Sequence, residues 1–316
     1  MKHLYKFIAL VFIFMIGIAF FSKSIPSISV STTTASSIQD STFPMVYLQV
    51  GESFINPLHG YSSELNSSTV RESITPLDTG KTFAVNIAEN DSKIKKLSYE
   101  LRDIANNKSI ETGDITAFDK NKKYKVATVR LKEAMDTSTE YGFCMTLITN
   151  YSKKIHFYTR IKYYDNDFFL SKKLDFVAKF HAATFDQGKS LDLSQYLESG
   201  TNDDSSYESV DIHSSRKLIT WGKLKPKKLT DVVPTVKELN IETAAISQTY
   251  FVSATTASGS ETYQVKEFYR VRYSGGRIYL LYFKRTMEAI FDPSLISINK
   301  SEVKIGISSA EDLDIT

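Results

Sequence analysis

Residues able to do chemistry are plentiful in this 316-residue chain, but few stand at the spacings that chemistry requires. Gly80-Lys81-Thr82 and Gly188-Lys189-Ser190 match the tail of a phosphate-binding loop. Such a loop cradles phosphate only when a second glycine stands five residues earlier, and Thr75 and Ala183 hold those places. The histidines, His3, His59, His156, His181 and His213, show neither the H-E-x-x-H spacing nor a close pair, so no metal site is read from them. Ser214 with Lys217 and Ser301 with Lys304 match S-x-x-K without its companion motifs, and G-x-S-x-G does not occur. Asp203-Asp204 and the pair Asp165 and Asp167 supply too few oxygens for a dedicated calcium loop and read as solvated segments. Cys144 is the sole cysteine, which excludes an internal disulfide and a cysteine-based zinc site. It is expected opposite Thr159, beside Ile148 and Ile155 on an inward strand face, where an apolar setting makes a packed, inert thiol. No catalytic set, metal or cofactor is implied.

The richest surface chemistry lies in ETYQVKEFYRVRYSGGRIYLLYFKRT. Gly275-Gly276 permits a primed two-residue turn. Tyr273 then faces Ile278, Val271 faces Leu280, Tyr269 faces Tyr282, and the acid Glu267 meets the base Lys284. The opposite face sets Lys266, Phe268, Arg270 and Arg272 against Arg285, Phe283, Leu281 and Tyr279. Two readings fit that pattern. One is an outer sheet face on which arginine stems cover aromatic rings. The other is a binding platform for an anionic or carbohydrate ligand or a partner protein, with Lys266, Phe268, Arg270, Arg272, Tyr279 and Phe283 as its contact residues.

Elements that could position such residues are mostly strands. Tyr and Phe, 18 and 20 in number, are abundant while Gly and Pro are scarce, which favours an ordered, strand-rich protein. Seven runs with strand character, at 45–50, 82–88, 96–104, 109–116, 123–132, 139–149 and 154–164, give the arithmetic of a β-sandwich. Asn106-Asn107 is expected to turn one hairpin, because asparagine tolerates positive φ. Within LKEAMDTSTEYGFCMTLIT, a tight turn precedes Tyr141, and Phe143, Met145 and Leu147 continue the strand. This stretch resembles the corner between the fifth and sixth strands of immunoglobulin-like and fibronectin-type-III-like domains. The resemblance covers residues 43–164 and implies only the generic sandwich, with the Tyr141 hydroxyl bonded back to the upstream backbone. The cysteine pair and core tryptophan of antibody domains are missing from it, and a fold of this kind does not give function.

After residue 165 the period changes. Leu170, Leu174, Val177 and His181, with Phe169, Phe176 and Phe180 alongside, recur at helical spacing, with Asp167 as the expected N-cap and a second short turn at 191–197. His181 reads as a core histidine on this stripe. The chain thus divides into a leader at 1–24, a Ser/Thr-rich tether at 25–42, a sandwich at 43–164, a helical bridge or cover at 165–200 and a second β-rich domain at 201–316. The fold class is mainly β.

The leader carries Lys2 and Lys6 before an uninterrupted apolar run from Phe7 to Phe21. At about 1.5 Å per residue that run falls short of a ~30 Å hydrocarbon core, although Leu4 and Tyr5 extend it if Lys6 snorkels. Bulky Phe20 and Phe21 stand where a signal peptidase needs small residues, which favours an uncleaved anchor over a cleaved signal peptide; the basic flank holds the N-terminus in the cytoplasm. Either way the rest is exported. Lys2, Lys6 and Lys23 against Asp40 account for two of the three formal positive charges, so the exported part is nearly neutral and has no nucleic-acid footprint. The sequence therefore predicts a bacterial cell-envelope protein, anchored in the lipid bilayer through Phe7 to Phe21, that binds another envelope or membrane protein in a sensory-regulatory role. A wall- or polysaccharide-active enzyme with dispersed carboxylates and an extracytoplasmic solute- or carbohydrate-binding module are the competing classes. An aromatic-lined cleft between the β units would mark the binding module.

Overall fold

The computed structural model describes residues 5–7, 11–15, 43–290, 296–298 and 303–305, apart from 67–68, 122, 138, 166–167, 199–205 and 257–258. Residues 5–7 and 11–15 are helical; among the described residues no helix is long and apolar enough to cross a membrane. Residues from Asp40 onward form one compact unit, distinct from residues 1–39.

The seven sequence-read strands are all present, as β1 (Met45–Val50), β4 (Thr82–Ala88), β5 (Ile94–Asp103), β6 (Ser109–Ile115), β8 (Lys125–Arg130), β9 (Glu140–Thr149) and β10 (Lys154–Tyr163). Three more join them: β2 (Ser53–Leu58), β3 (Ile74–Leu77) and β7 (Asp119–Lys120). They form two five-stranded sheets, ordered β2-β1-β4-β8-β7 and β3-β10-β9-β5-β6, compatible with a β-sandwich. Every pairing is antiparallel except that of β3 with β10. Phe83 of the first sheet meets Phe143 of the second edge-on, with ring centroids 5.3 Å apart, and Val85, Ile87, Met145, Leu147 and Phe157 fill the space around them. The Tyr141 hydroxyl accepts from the Asp136 N–H at 2.8 Å, so the corner closes as the resemblance implied.

Two sandwich expectations need correction. The β5–β6 connection is a longer loop over 104–108, closed by the Asp103 N–H donating to the Lys108 carbonyl, and only Asn107 takes positive φ. The β9–β10 hairpin turns over 150–152, with Ser152 left-handed at φ 59, which pairs Cys144 with Tyr158 rather than Thr159. A connection one residue shorter than expected places Cys144 on the outer face, away from Phe143 and Met145. It is nonetheless buried beside Tyr158, and that burial pushes its thiol up to about 11.

Helix α1 (Leu170–Phe185) begins after Phe169, whose φ is 50 and which supplies no side-chain cap. The expected cap, Asp167, lies outside the described residues. Lys173, fully buried, anchors this end instead by donating to the carbonyls of Phe168, Asn240 and Ile241 at 2.7–2.8 Å. A 3₁₀ turn follows at Leu193–Tyr196. The second β region is a sheet in the order β11 (Ser209–Asp211), β16 (Arg277–Ala289), β15 (Gly259–Ser274), β14 (Thr243–Thr256) and β12 (Lys227–Lys228), with β13 (Thr235–Leu239) also pairing β14. Helix α1 covers its inner face: Phe180 packs against Tyr269 and Phe283 with centroids 5.7 and 5.0 Å away. Gly275 and Gly276, at φ 59 and 76, make the primed turn the sequence required.

The sandwich and the second sheet are locked together through β13. Asn56, buried and left-handed at φ 52, donates its side-chain amide to the Ile74 carbonyl at 2.8 Å and its backbone N–H to Pro234. Its Oδ1 accepts from the Val236 N–H at 2.9 Å. Arg160 and Lys162 reach the carbonyls of Lys237 and Leu239, and Lys237 returns to that of Glu72. Each bond satisfies a backbone group that would otherwise be lost to both partners.

Candidate functional site

The two faces of the β15–β16 hairpin part company where the register slips. Near the turn Tyr273 pairs with Ile278 and Val271 with Leu280, as expected. A bulge between Arg270 and Val271 then leaves Leu281 extra, so Tyr269 pairs with Phe283 and Glu267 with Arg285. Side chains beyond the bulge exchange faces. Phe283, expected on the basic-aromatic surface, is fully buried under α1, and Arg285 is buried with it. Leu281 and Tyr282 both point outward instead.

The outer face therefore carries Lys266, Phe268, Arg270, Arg272 and Tyr279, joined by Tyr282 and Lys284. The Arg272 guanidinium lies 4.9 Å from the Tyr279 ring, Arg270 pairs with Glu238 at 3.2 Å, and Lys266 pairs with Glu288 at 3.5 Å. Phe268 meets Tyr282 edge-on at 6.0 Å. Of these contacts one, Arg272 over Tyr279, is an arginine covering a ring; Arg270 and Lys266 are held by carboxylates instead.

On the inner face the slip builds a polar row. Gln248, Glu267 and Arg285 stand directly opposite one another on β14, β15 and β16, and all three are buried. Arg285 stacks on Trp221, 3.4 Å from the ring centroid, and donates to the carbonyls of Leu218 and Ile219 at 2.8 Å. Those carbonyls end the short helix α2 (Arg216–Ile219), where a cation is favoured. Burial lowers the pKa of Arg285 from its ordinary value. Glu267 accepts from His181 Nδ1, Tyr250 and Tyr269, each at 2.8 Å. Burial raises its pKa, but the charge and hydrogen bond of His181, with help from Arg285 and Tyr269, outweigh it and hold the carboxyl below its ordinary value. The same carboxylate and their own burial push Tyr250 and Tyr269 well upward.

The open end of this row faces a cleft of about 1280 Å³ between the sandwich, α1 and the segment that leads into β13. His181 and Gln248 form part of its floor, and Lys228 stands beside them with Nζ 3.4 Å from His181 Nε2. Gln248 Oε1 is buried and has no hydrogen-bond partner. Tyr47, Phe54 and Tyr124 make the facing wall, mutually packed with centroids 5.2–5.6 Å apart. Three carboxylates, Glu52, Asp175 and Asp231, and two ammonium groups, Lys123 and Lys228, share the lining, so no single charge sign dominates it. Among the described residues no three His, Cys, Asp or Glu side chains gather as metal ligands.

Sequence reasoning placed His181 in the core, and it is buried, yet it also borders this cleft. Glu267, a lone acid on an otherwise apolar strand face, was matched to Lys284 in the unbulged register; the bulge sets it opposite Arg285 instead, and α1 brings it His181. Tyr47, Phe54 and Tyr124 gave no signal, because they come together only when β2, β1, β4 and β8 line up in one sheet, with Tyr124 just before β8. No family model matches the chain, and no curated protein matches it in sequence.

Proposed function

We propose that this chain is a non-catalytic binding component of a bacterial cell envelope that takes its ligand in the cleft floored by His181 and Gln248. The apolar run from Phe7 to Phe21 holds it at the membrane with the remainder extracytoplasmic. The observation that carries the reading is the cleft itself: it has an aromatic wall and a polar floor, and its sides are fixed by the bonds through Asn56, Arg160 and Lys173. A cleft of this size exceeds the roughly 300–1,000 Å³ of ordinary small-molecule sites, and preformed walls reduce the ordering cost of binding. The outer basic-aromatic face serves as a second contact surface for an envelope or membrane protein. Three of its cations already have partners in Tyr279, Glu238 and Glu288, which ranks it after the cleft.

Nuclear magnetic resonance of the soluble region from residue 43 onward, titrated with separate pools of sugars, amino acids, short peptides and nucleosides, tests the cleft. Shifts confined to His181, Tyr124 and their neighbours with one pool are expected. If all four pools leave those resonances in place, the cleft is not a ligand site. Fractionation tests the anchoring: a soluble mature form lacking the first 24 residues would replace anchor with cleaved leader.

A further inference from the structure

On the reading that the cleft is the ligand site, we infer that its ligand is an extended peptide segment of a partner protein, added as a strand to the free edge of β2. The register of the β1–β2 hairpin carries this. Gly51, at φ 57, opens a two-residue turn that sets Val50 opposite Ser53, Gln49 opposite Phe54 and Leu48 opposite Ile55. In an antiparallel ladder closed this way the Val50–Ser53 and Leu48–Ile55 pairs exchange hydrogen bonds, and the residues between them turn both backbone groups outward. The N–H and C=O of Phe54 therefore point away from β1. Asn56, two residues on, obeys the same rule: its N–H leaves the sheet and donates to the Pro234 carbonyl at 2.8 Å.

Strand β2 ends its sheet, and no described residue bonds the Phe54 N–H or C=O on that open side. Residues 231–234 lead into β13 without belonging to a strand, and the backbone groups of 231–233 make no hydrogen bond among the described residues. Both segments line the cleft. The Asn56–Pro234 bond is thus a single rung, and a peptide laid beside Phe54 continues the ladder from it, one of its residues exchanging two hydrogen bonds with Phe54. An exposed strand edge is a template for another backbone, because a peptide repeats one donor and one acceptor at strand spacing.

The wall supports the same class. Alternate side chains of an added strand fall on the face where Phe54 stacks on Tyr47, centroids 5.2 Å apart, with Tyr124 beside both. That face suits apolar or aromatic side chains, and the mixed charges of the lining favour no net charge on the peptide. Helix α1 and Lys228 border the same cleft, so the edge admits one extended chain and not the edge of a second folded sheet.

Selection of phage-displayed random octapeptides on the full chain in detergent, with the best binder then measured as a free peptide by fluorescence anisotropy, tests the assignment. Binders with apolar or aromatic residues at alternate positions are expected. A scan of single N-methyl groups along the peptide should find at least one amide whose methylation weakens binding tenfold or more. The Phe54 N–H should gain protection from hydrogen exchange in the complex. Tyr124→Ala should weaken binding several-fold, and Phe54→Pro, which deletes the edge N–H at a position where an edge strand accepts proline, should weaken it tenfold beyond Phe54→Ala. The methylation scan alters only the peptide and stays decisive if Phe54→Pro does not fold. Selection of no peptide, or of one indifferent to every N-methyl group and leaving the Phe54 amide unprotected, would overturn the strand addition. Binding lost in Arg272→Ala but kept in Tyr124→Ala would move the peptide to the outer face and overturn it too. Resonance shifts at Tyr124 with sugars or nucleosides alone would overturn the peptide and keep the cleft as the ligand site; silence in both experiments removes the cleft reading as well.

Discussion

The sandwich interior and the space beneath α1 are both closed to water, yet they are filled by opposite means. Between the two sandwich sheets the contacts are those of Phe83, Val85, Ile87, Phe143, Met145, Leu147 and Phe157, with no charge among them. Beneath α1 a glutamate, an arginine and a glutamine cross the middle of an otherwise apolar face, tied to a histidine and two tyrosines. Apolar burial is non-directional and tolerates exchange of like for like. A buried charge row is costly to desolvate and demands every partner in place. The first arrangement stabilises a frame; the second fixes one register of β14–β15–β16 against α1 and carries a polar floor to the edge of a cleft.

The largest effects should come from removing one member of each interior. Arg285→Ala strips a stacked cation from Trp221 and two donors from α2, and is expected to cost about 3–5 kcal/mol in urea unfolding. Phe143→Ala should cost a similar ~3–5 kcal/mol by leaving a cavity. The two separate on rescue. Phe143→Leu should recover much of its loss, whereas Arg285→Lys should recover little, because an ammonium cannot stack flat on Trp221 while donating to two carbonyls. Full rescue by lysine would erase the distinction between the two interiors.

Acid sharpens it further. Glu267 has its pKa lowered on folding, so its contribution is complete above the ordinary carboxylate value of 4.5 and is lost as pH falls through the folded value. The stability difference between the native chain and Glu267→Gln should therefore shrink as pH falls below about 4.5, while the difference for Phe143→Ala stays flat over that range. A smaller effect is expected at the sandwich corner, where Tyr141→Phe removes the bond from the Asp136 N–H and should cost about 1 kcal/mol. The smallest belongs to the outer sheet face: Arg270→Ala breaks a half-exposed pair with Glu238 and should change stability by less than about 0.5 kcal/mol.

Much of the frame was legible because strand alternation and turn chemistry are local. Seven strands, the Gly275-Gly276 turn, the Tyr141 corner and the α1 stripe could each be read from a few neighbouring residues. What escaped was set by single-residue events. Leu281 as a bulge sends Phe283 and Arg285 inward, and a shorter β9–β10 connection turns Cys144 outward. A shift of one residue reverses every side chain beyond it, and nothing local marks where the shift occurs.

By itself the sequence determined a mainly β chain, the hairpin about its glycines, a helix with an apolar stripe, and the absence of any contiguous catalytic motif. Tertiary structure alone decided that Tyr47, Phe54 and Tyr124 share a wall, that Gln248, Glu267 and Arg285 align across three strands, and that His181 links that row to a cleft. These residues are distant along the chain and meet only through sheet order and register, which depend on packing between elements and not on any pattern within one of them.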